Sequence, residues 1–256
     1  MTLKSSYTAG ELLAILSARQ LTDGQVVFAG VGIPLLAATL AQRLDCPGLT
    51  ILFEGGVIGA FVEPGKLPPS TNDQRCTVRA NMVLGSADVL LLLQRGYVDV
   101  GFMGGAQIDQ YGNLNSSFIG DPAKPKTRLP GTGGGNDISS LTQMIVAMKH
   151  EKRRFVENVD FITSPGWLNG GHTRAEGGLP AGGMYRVVTD LAVFGFDETT
   201  RRLKPLALNP GVTREQVQDN TGFKLDFGND VGVTEPPTAQ ELSALRALDP
   251  ERLYIG

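Results

Sequence analysis

A short apolar segment that ends on a carboxylate, Leu49–Phe53 followed by Glu54, constrains the fold of this chain most. Its composition is typical of a buried strand, and Gly55 and Gly56 follow the acid directly. In open α/β sheets, ligands bind beyond the carboxyl ends of the strands, and glycines there allow backbone or ligand to come close. The segment therefore predicts a functional Glu54 at a sheet edge. An ordinary loop acid is the alternative, because exposed glutamates are common.

A second strand–loop–helix unit precedes that segment. Residues 25–29 predict a buried strand, Gly30 and Gly32 form a glycine loop, and an alanine- and leucine-rich helix follows. The two glycines resemble the start of a dinucleotide-binding fingerprint, but its third glycine is missing and Pro34 stands at the helix entry. The favoured interpretation is that this loop approaches a ligand in the same crevice as Glu54.

A third candidate feature is the turn that follows a buried strand predicted at residues 98–103. The turn contains Gly104, Gly105, Ala106 and Gln107. Small residues leave backbone N–H groups free to bind an anion or an oxyanion next to the glutamate. A plain β-turn is the alternative.

The remaining pattern predicts a single α/β domain over residues 1–256, with no linker or repeat. A Pro- and Gly-rich segment at 62–79 predicts a long active-site or interface loop. Further predicted elements are helices at about 9–20, 86–94 and 238–247, a hairpin at 185–196 and a strand at 203–208.

Composition excludes several classes of function. A net charge of −3 gives no basic field for nucleic acid, and no run of eighteen apolar residues predicts a membrane span. Cys46 and Cys76 lack metal-type spacing, and His150 and His172 are isolated, so we expect no metal site. The cysteine usage and the absence of a signal-peptide pattern predict the cytoplasm.

Two later motifs are open to more than one interpretation. The glycine-rich run at 131–137 suits phosphate on backbone N–H groups, but it lacks the Lys-Ser/Thr ending of a P-loop. The basic cluster is either a solvated face or a set of cations that meets carboxylates of a substrate or a partner subunit. Its members are Lys149, Lys152, Arg153 and Arg154.

Taken together and in order, six motifs resemble the small (beta) subunit of a class I CoA-transferase, most closely the glutaconate CoA-transferase beta-subunit type. The motifs are Phe53–Gly56, Gly104–Asp109, Tyr111–Asn115, Gly131–Gly134, His150–Phe155 and Ser164–Trp167. The resemblance runs over nearly the whole chain.

The resemblance implies an open, mainly parallel α/β sheet with helices on both faces. It also implies a homologous alpha subunit as partner, in an α2β2 or larger assembly. Most of the CoA site would then lie on the alpha subunit. Coenzyme A is then a substrate, with no permanently bound cofactor. In such a family Glu54 would be the nucleophile that takes the acyl group of an acyl-CoA as a glutamyl anhydride. It would then hold CoA as a glutamyl thioester and pass it to a carboxylic acid.

Some proteins that resemble this chain do different chemistry. Ring-opening CoA-thioester hydrolases and decarboxylases share the fold but lack the glutamate, and the decarboxylases have cysteine there. This chain has glutamate at position 54, which favours transfer. Hydrolysis, C–C cleavage and a non-catalytic partner role stay open as alternatives, because a fold alone does not set the function.

Overall fold

The computed structural model describes residues 7–179 and 182–256 of the chain. The strands found there are, in order, Val26–Ala29 (β1), Thr50–Leu52 (β2), Val57–Ile58 (β3), Met82–Val83 (β4), Val100–Met103 (β5), Gln107–Ile108 (β6), Leu114–Asn115 (β7), Phe118–Asp121 (β8), Lys124–Arg128 (β9), Gln143–Ala147 (β10), Gly183–Val188 (β11), Ala192–Phe196 (β12), Leu203–Leu208 (β13) and Gly232–Val233 (β14). The α-helices are Ala9–Ala18 (α1), Ile33–Arg43 (α2), Ser86–Gln94 (α3), Gly135–Leu141 (α4), Thr173–Glu176 (α5), Arg214–Asp219 (α6) and Ala239–Leu248 (α7). A 3₁₀ helix covers Gln74–Thr77.

Reciprocal caps start the first and the last helix where the sequence predicts them. At α1, Oγ1 of Thr8 accepts the backbone N–H of Glu11 and the Glu11 carboxylate accepts the backbone N–H of Thr8, at 3.2 and 2.8 Å. Thr238 and Glu241 repeat the arrangement at α7. Each cap satisfies backbone donors that the first helical turn leaves free, which contributes about 1 kcal/mol.

One ten-stranded sheet forms the centre of the fold, in the order β14-β13-β12-β11-β10-β5-β1-β2-β3-β4. The five central strands, from β11 to β2, are all parallel to their neighbours within this group. Antiparallel strands extend the sheet on both sides, where β12 and β13 follow β11, and β3 and β4 follow β2. The expected open, mainly parallel sheet is thus confirmed, with mixed pairing toward its ends.

Helices cover both faces of the sheet. Successive side chains of the central strands point to opposite faces, so each strand contributes to both cores. On β1, Val27 packs into one core with α1, α2 and α7, whereas Phe28 packs into the other core with α3, α4 and α6. Buried strands with apolar side chains on both faces are what a parallel sheet between two helix layers requires.

A long loop is predicted at 62–79, and the structure has a loop there between β3 and β4. The loop contains the 3₁₀ helix at Gln74–Thr77. Leu67 and Cys76 of this loop are buried in the same core as α1 and α2. Residues 69–71 therefore have a fixed position beyond the carboxyl end of β2, where Glu54 lies.

The predicted hairpin and the strand at 203–208 are also present, as β11–β12 and β13. Among the described residues, no helix has the length and apolar character needed to cross a membrane. In the same part of the chain, no three His, Cys, Asp or Glu side chains come together as a metal site would need.

Candidate active site

Glu54 stands at the corner of a tight turn that joins β2 to β3. The backbone N–H of Gly56 donates to the carbonyl of Phe53 at 3.0 Å, and the N–H of Phe53 donates to the carbonyl of Val57 at 2.9 Å. Phe53 is buried in the core while Glu54 is half-buried. The turn therefore anchors the strand end and presents the carboxylate at the sheet edge.

The two glycines after Glu54 admit protein backbone. Gly56 has a φ of +102°, and a Cβ placed on it would overlap the carbonyl of Leu84. A Cβ on Gly55 would lie 2.7 Å from Oδ1 of Asn72. The close approach expected at these positions is thus made by the end of β4 and by the 70–72 loop, which together fix the geometry of the turn.

The glutamate carboxylate is held by a second glycine pair, far away in sequence. The backbone N–H of Gly134 donates to Oε1 of Glu54 at 2.9 Å. Gly133 has a φ of +56°, and a Cβ there would lie 2.8 Å from Oε1 and 3.0 Å from Oε2. Only glycine lets this loop adopt the left-handed conformation and approach the carboxylate so closely.

The sequence alone indicates phosphate binding as one interpretation of the glycine-rich run that contains this pair. It does not predict the contact of the run with Glu54. The signal is present as the Gly131–Gly134 motif, but nothing local to either segment shows that they meet.

A cavity of about 220 Å³ opens at this carboxylate, at the carboxyl ends of β1, β2 and β5. Its lining comprises Phe28, Ala29, Gly30, Val31, Glu54, Pro69, Ser70, Thr71, Met103, Thr132 and Ile138. Gly30 therefore reaches the same crevice as Glu54, as its strand-end position predicts. Gly32 is not among the lining residues. It precedes α2 at a φ of +92°, and its carbonyl accepts the N–H of Leu36 at 3.0 Å.

The turn at 104–107 lies elsewhere on the same edge. Strand β1 separates β5, which leads into this turn, from β2, which leads to Glu54. Gly104 and Gly105 line a different cavity of about 730 Å³, together with Lys149 and Arg154. The backbone N–H of Ala106 is engaged, because it donates to the carbonyl of Asn115 at 3.2 Å.

Gln107 is a buried structural amide in this chain. Its Oε1 accepts the side-chain amide of Asn115 at 2.7 Å, and its Nε2 donates to Oδ2 of Asp160 at 3.1 Å. The same Asp160 oxygen accepts the backbone N–H of Gly120 at 2.9 Å. Gln107 thus anchors the neighbouring β8–β9 hairpin through Asp160.

Hydrogen bonds join the segment at 109–115 to the segment at 164–168. Oδ1 of Asn113 accepts the backbone N–H groups of Gly166 and Leu168, at 2.9 and 3.1 Å. Oδ2 of Asp109 accepts the Asn113 amide at 2.9 Å, and burial raises the pKa of this carboxyl. This hydrogen-bonded cluster is buried, so the role it supports is structural.

Hydrogen bonds from Arg174 link helix α4 to this cluster. Its guanidinium is buried, and it donates to the carbonyls of Ser139 and Ser140 at the end of α4, both at 2.9 Å. It also donates to the carbonyl of Gly166 at 2.8 Å. Because α4 follows Gly134 directly, Arg174 fixes the helix that carries the donor of the Glu54 carboxylate.

The basic cluster near residue 150 is partly neutralised within the chain. Arg153 and Arg154 both pair with Glu151, at 2.7 and 3.1 Å. His150 is buried, with its ring stacked on Phe155 at 4.0 Å. This segment is therefore partly core and partly an ion-paired surface.

Comparison with known proteins identifies the family of this chain. The model of the coenzyme A transferase family matches residues 11–220. The chain is 40% identical to the B subunit of 3-oxoadipate CoA-transferase from Pseudomonas knackmussii, over 96% of this chain and 94% of that protein. It is 37% identical to the B subunit of glutaconate CoA-transferase from Acidaminococcus fermentans, over 98% of this chain and 96% of that protein.

Solved structures show the same fold. The crystal structure of glutaconate coenzyme A-transferase from Acidaminococcus fermentans superposes with a TM-score of 0.92 and covers 98% of both chains. The decarboxylase AibA/AibB superposes with a TM-score of 0.83 at 26% identity, over 97% of this chain and 98% of that one. The length of the family match and the full-length identities establish that this chain belongs to the coenzyme A transferase family.

Proposed function

We propose that this chain is the catalytic beta subunit of an enzyme that transfers CoA between two carboxylic acids, with Glu54 as the covalent nucleophile. One observation carries the proposal. The Glu54 carboxylate lines a strand-end cavity, with Oε1 bound by the N–H of Gly134. Within the described part of the chain, no donor binds Oε2. One oxygen is positioned, and the other is available to attack.

The reaction that fits this arrangement proceeds in two halves. Oε2 of Glu54 attacks the carbonyl carbon of the acyl-CoA, the C–S bond breaks, and CoA leaves as thiolate from an acyl-glutamyl anhydride. The thiolate then attacks Cδ of Glu54 and expels the first acid as a carboxylate, which leaves a glutamyl-CoA thioester. The second carboxylate reverses both steps, so no water and no net proton enter the cycle.

Gly134 supplies electrostatic stabilisation in this scheme. When the thiolate attacks Cδ, negative charge develops on the oxygen that does not leave with the acid. Oε1 is the oxygen already bound by the Gly134 N–H at 2.9 Å. A donor placed in advance at a developing oxyanion typically contributes about 3 kcal/mol of transition-state stabilisation.

The substrates that we propose are dicarboxylic acids of the glutaconate type and their CoA thioesters. The proposal follows from the names of two full-length relatives, which act on glutaconate and on 3-oxoadipate. Both acids carry two carboxylates on a short chain. Identities of 37% and 40% do not separate the two, so 3-oxoadipate is the second candidate acid.

A homologous alpha subunit is the partner that we propose, in an α2β2 or larger assembly. The relatives are named as one subunit of a pair, which implies a companion chain. A cavity of about 220 Å³ at a half-buried carboxylate is too small to enclose an acyl-CoA, since such pockets usually measure about 300–1,000 Å³. The edge strand β4 beside the Glu54 turn exposes Met82 and Val83, which suits a covering partner.

Hydrolysis or decarboxylation on the same scaffold is the second candidate function. The structural similarity to the decarboxylase AibA/AibB supports this alternative. In that case Glu54 would act on water or on a proton, and the thioester carbon would never bond to the protein.

One experiment separates these functions. The chain is co-expressed with its alpha subunit and supplied with glutaconyl-CoA and labelled acetate, 3-oxoadipate or succinate as acceptor. Transfer predicts labelled acyl-CoA with no loss of total thioester, whereas hydrolysis predicts free CoA and decarboxylation predicts CO₂. Thioester loss that does not depend on the acceptor acid would contradict the proposed transfer.

A further inference from the structure

The β8–β9 hairpin, residues 118–128, carries three cations that have no acidic partner in the described part of the chain. Lys124, Lys126 and Arg128 are all exposed, and no carboxylate of the described residues lies within ion-pairing distance of them. The single acid of the hairpin, Asp121, accepts the backbone N–H of Ala123 at 2.7 Å. The three positive charges are therefore available to meet an anion.

The hairpin stands outside the main sheet but is rigidly held at its base. The N–H of Leu129 donates to the carbonyl of Ser117 and that of Gly131 donates to the carbonyl of Ser116, at 3.0 and 2.8 Å. Ser116 in turn donates its N–H to Oγ1 of Thr163 at 3.0 Å. The carbonyl of Thr163 accepts the side-chain amide of Asn136, in the first turn of α4, at 3.1 Å.

Chain length limits how far Arg128 can lie from the proposed nucleophile. Arg128 and Gly134 are six residues apart, which limits the distance between their Cα atoms to about 21 Å even for a fully extended chain. That span is comparable with the extended pantetheine arm that joins the sulfur of CoA to its diphosphate.

We infer that the basic hairpin binds the nucleotide end of CoA, its diphosphate and 3′-phosphate, while the sulfur lies at Glu54. This inference rests on the proposed function, because it assumes that an acyl-CoA reacts at Glu54. It assigns part of CoA recognition to this chain, beyond the share expected on the alpha subunit.

The charge distribution supports the assignment. The chain has a net charge of −3, so its overall field repels a polyanion such as CoA. Local cations without internal partners are then needed to bind it. Arg153 and Arg154 pair with Glu151, and Lys66 pairs with Glu63, so these three cations are less available to an anion.

The test compares two thioester substrates that carry the same acyl group. The assembled enzyme is prepared as wild type and as the triple variant Lys124→Gln, Lys126→Gln, Arg128→Gln. KM and kcat are measured with acyl-CoA and with the acyl-pantetheine, which lacks the nucleotide and its phosphates. A matched control removes three cations outside the hairpin, at and beside β13: Arg202→Gln, Lys204→Gln, Lys224→Gln.

The inference predicts that the hairpin variant raises KM for acyl-CoA about tenfold or more, since charge-assisted contacts to phosphate are lost. Its KM for acyl-pantetheine and its kcat with either substrate should stay at the wild-type values, which also shows intact folding. The salt dependence of the wild-type KM for acyl-CoA should weaken in this variant. The control should keep both KM values.

Three results would overturn the inference: an unchanged KM for acyl-CoA, an equal rise for both thioesters, or loss of assembly with the alpha subunit. The last would identify the hairpin as a protein contact. Failure of the proposed function itself looks different, because the wild type would then show no thioester exchange between acids with either substrate.

Discussion

The backbone N–H of Gly134 donates a 2.9 Å hydrogen bond to Oε1 of Glu54 across eighty residues of sequence. The contact joins the turn after β2 to the loop before α4. It leaves the carboxylate with one oxygen bound by a backbone donor and, among the described residues, one oxygen without a hydrogen-bond donor. In the proposed reaction Oε2 attacks the acyl carbonyl, and Oε1 later carries the developing negative charge. The hydrogen bond to Oε1 should therefore affect the rate of transfer.

Removing the Gly134 N–H should slow the reaction with little effect on substrate binding. Gly134 has a φ of −73°, which a proline ring adopts. The proline Cδ takes the place of the hydrogen that points at Oε1, so Gly134→Pro removes the donor and also displaces the carboxylate. We expect kcat to fall about a hundredfold or more, with a much smaller change in KM, in steady-state transfer assays.

The matched control is Gly134→Ala, which keeps the N–H. Its Cβ would lie 2.9 Å from Cδ2 of Leu90, a side-chain end that can rotate, and 3.4 Å from Oε1 of Glu54. This variant should keep kcat within about tenfold of the wild type, because the donor that contributes most is retained. Equal losses in both variants, or loss of assembly with the alpha subunit in the proline variant alone, would count against a specific role of the N–H.

A charge on the edge strand next to Glu54 should disrupt the heteromer. Val83 on β4 is 58% exposed, and the N–H of the following Leu84 donates to the carbonyl of Gly56 at 2.8 Å. If the alpha subunit covers this edge, Val83→Lys buries an unpaired cation, which costs on the order of 3 kcal/mol, or about a hundredfold in Kd. Light scattering after size-exclusion chromatography measures the assembly.

The opposite end of the sheet offers the control. Val233 on β14 is 67% exposed, so Val233→Lys adds the same charge to an equally open edge strand. We expect this variant to assemble normally. Assembly of Val83→Lys together with failure of Val233→Lys would place the partner at the other end of the sheet.

His150 should make the fold sensitive to mild acid. The residue is 4% exposed, and its ring nitrogens lie 3.2 and 2.9 Å from the hydroxyl oxygens of Thr189 and Thr221. Burial lowers the pKa of His150 from 6.5 to about 3. Between these values the unfolded chain binds a proton that the folded chain does not, so stability is full above pH 6.5 and falls as the pH drops toward 3.

The expected loss from this group is about 2 kcal/mol of unfolding free energy between about pH 7 and pH 5. Urea titrations at several pH values measure it, and His150→Gln should flatten the profile in this range. Proton NMR gives an independent check, since the chain contains only two histidines. A His150 ring that titrates near pH 6.5 in the folded protein would refute the prediction.

Local sequence patterns are sufficient to predict much of the fold. The helix at 86–94 and the strand at 203–208 have the predicted bounds, because capping residues and alternating apolar residues mark them within a few positions. The acid at the end of β2 is found for the same reason, since the strand, the carboxylate and the glycines are contiguous.

The partner of that acid cannot be found in this way. Gly133 and Gly134 meet Glu54 only because the sheet order brings β2 and the segment before α4 to one edge, and sequence spacing does not encode that meeting. For the same reason the sequence predicts the 104–107 turn beside the glutamate, whereas the structure places β1 between the two strands that lead to them. A role of the turn in catalysis stays a prediction without a contact to support it.

Borohydride trapping shows whether Glu54 becomes covalently bound to CoA during transfer. The assembled enzyme is incubated with acyl-CoA, treated with borohydride, digested and analysed by mass spectrometry, with Glu54→Gln as the control. We expect the Glu54 side chain in the wild type to be reduced from a thioester to an alcohol, whereas the variant should assemble but show neither reduction nor transfer. An unmodified Glu54 in an enzyme that transfers CoA, or wild-type transfer by Glu54→Gln without deamidation, would contradict this expectation.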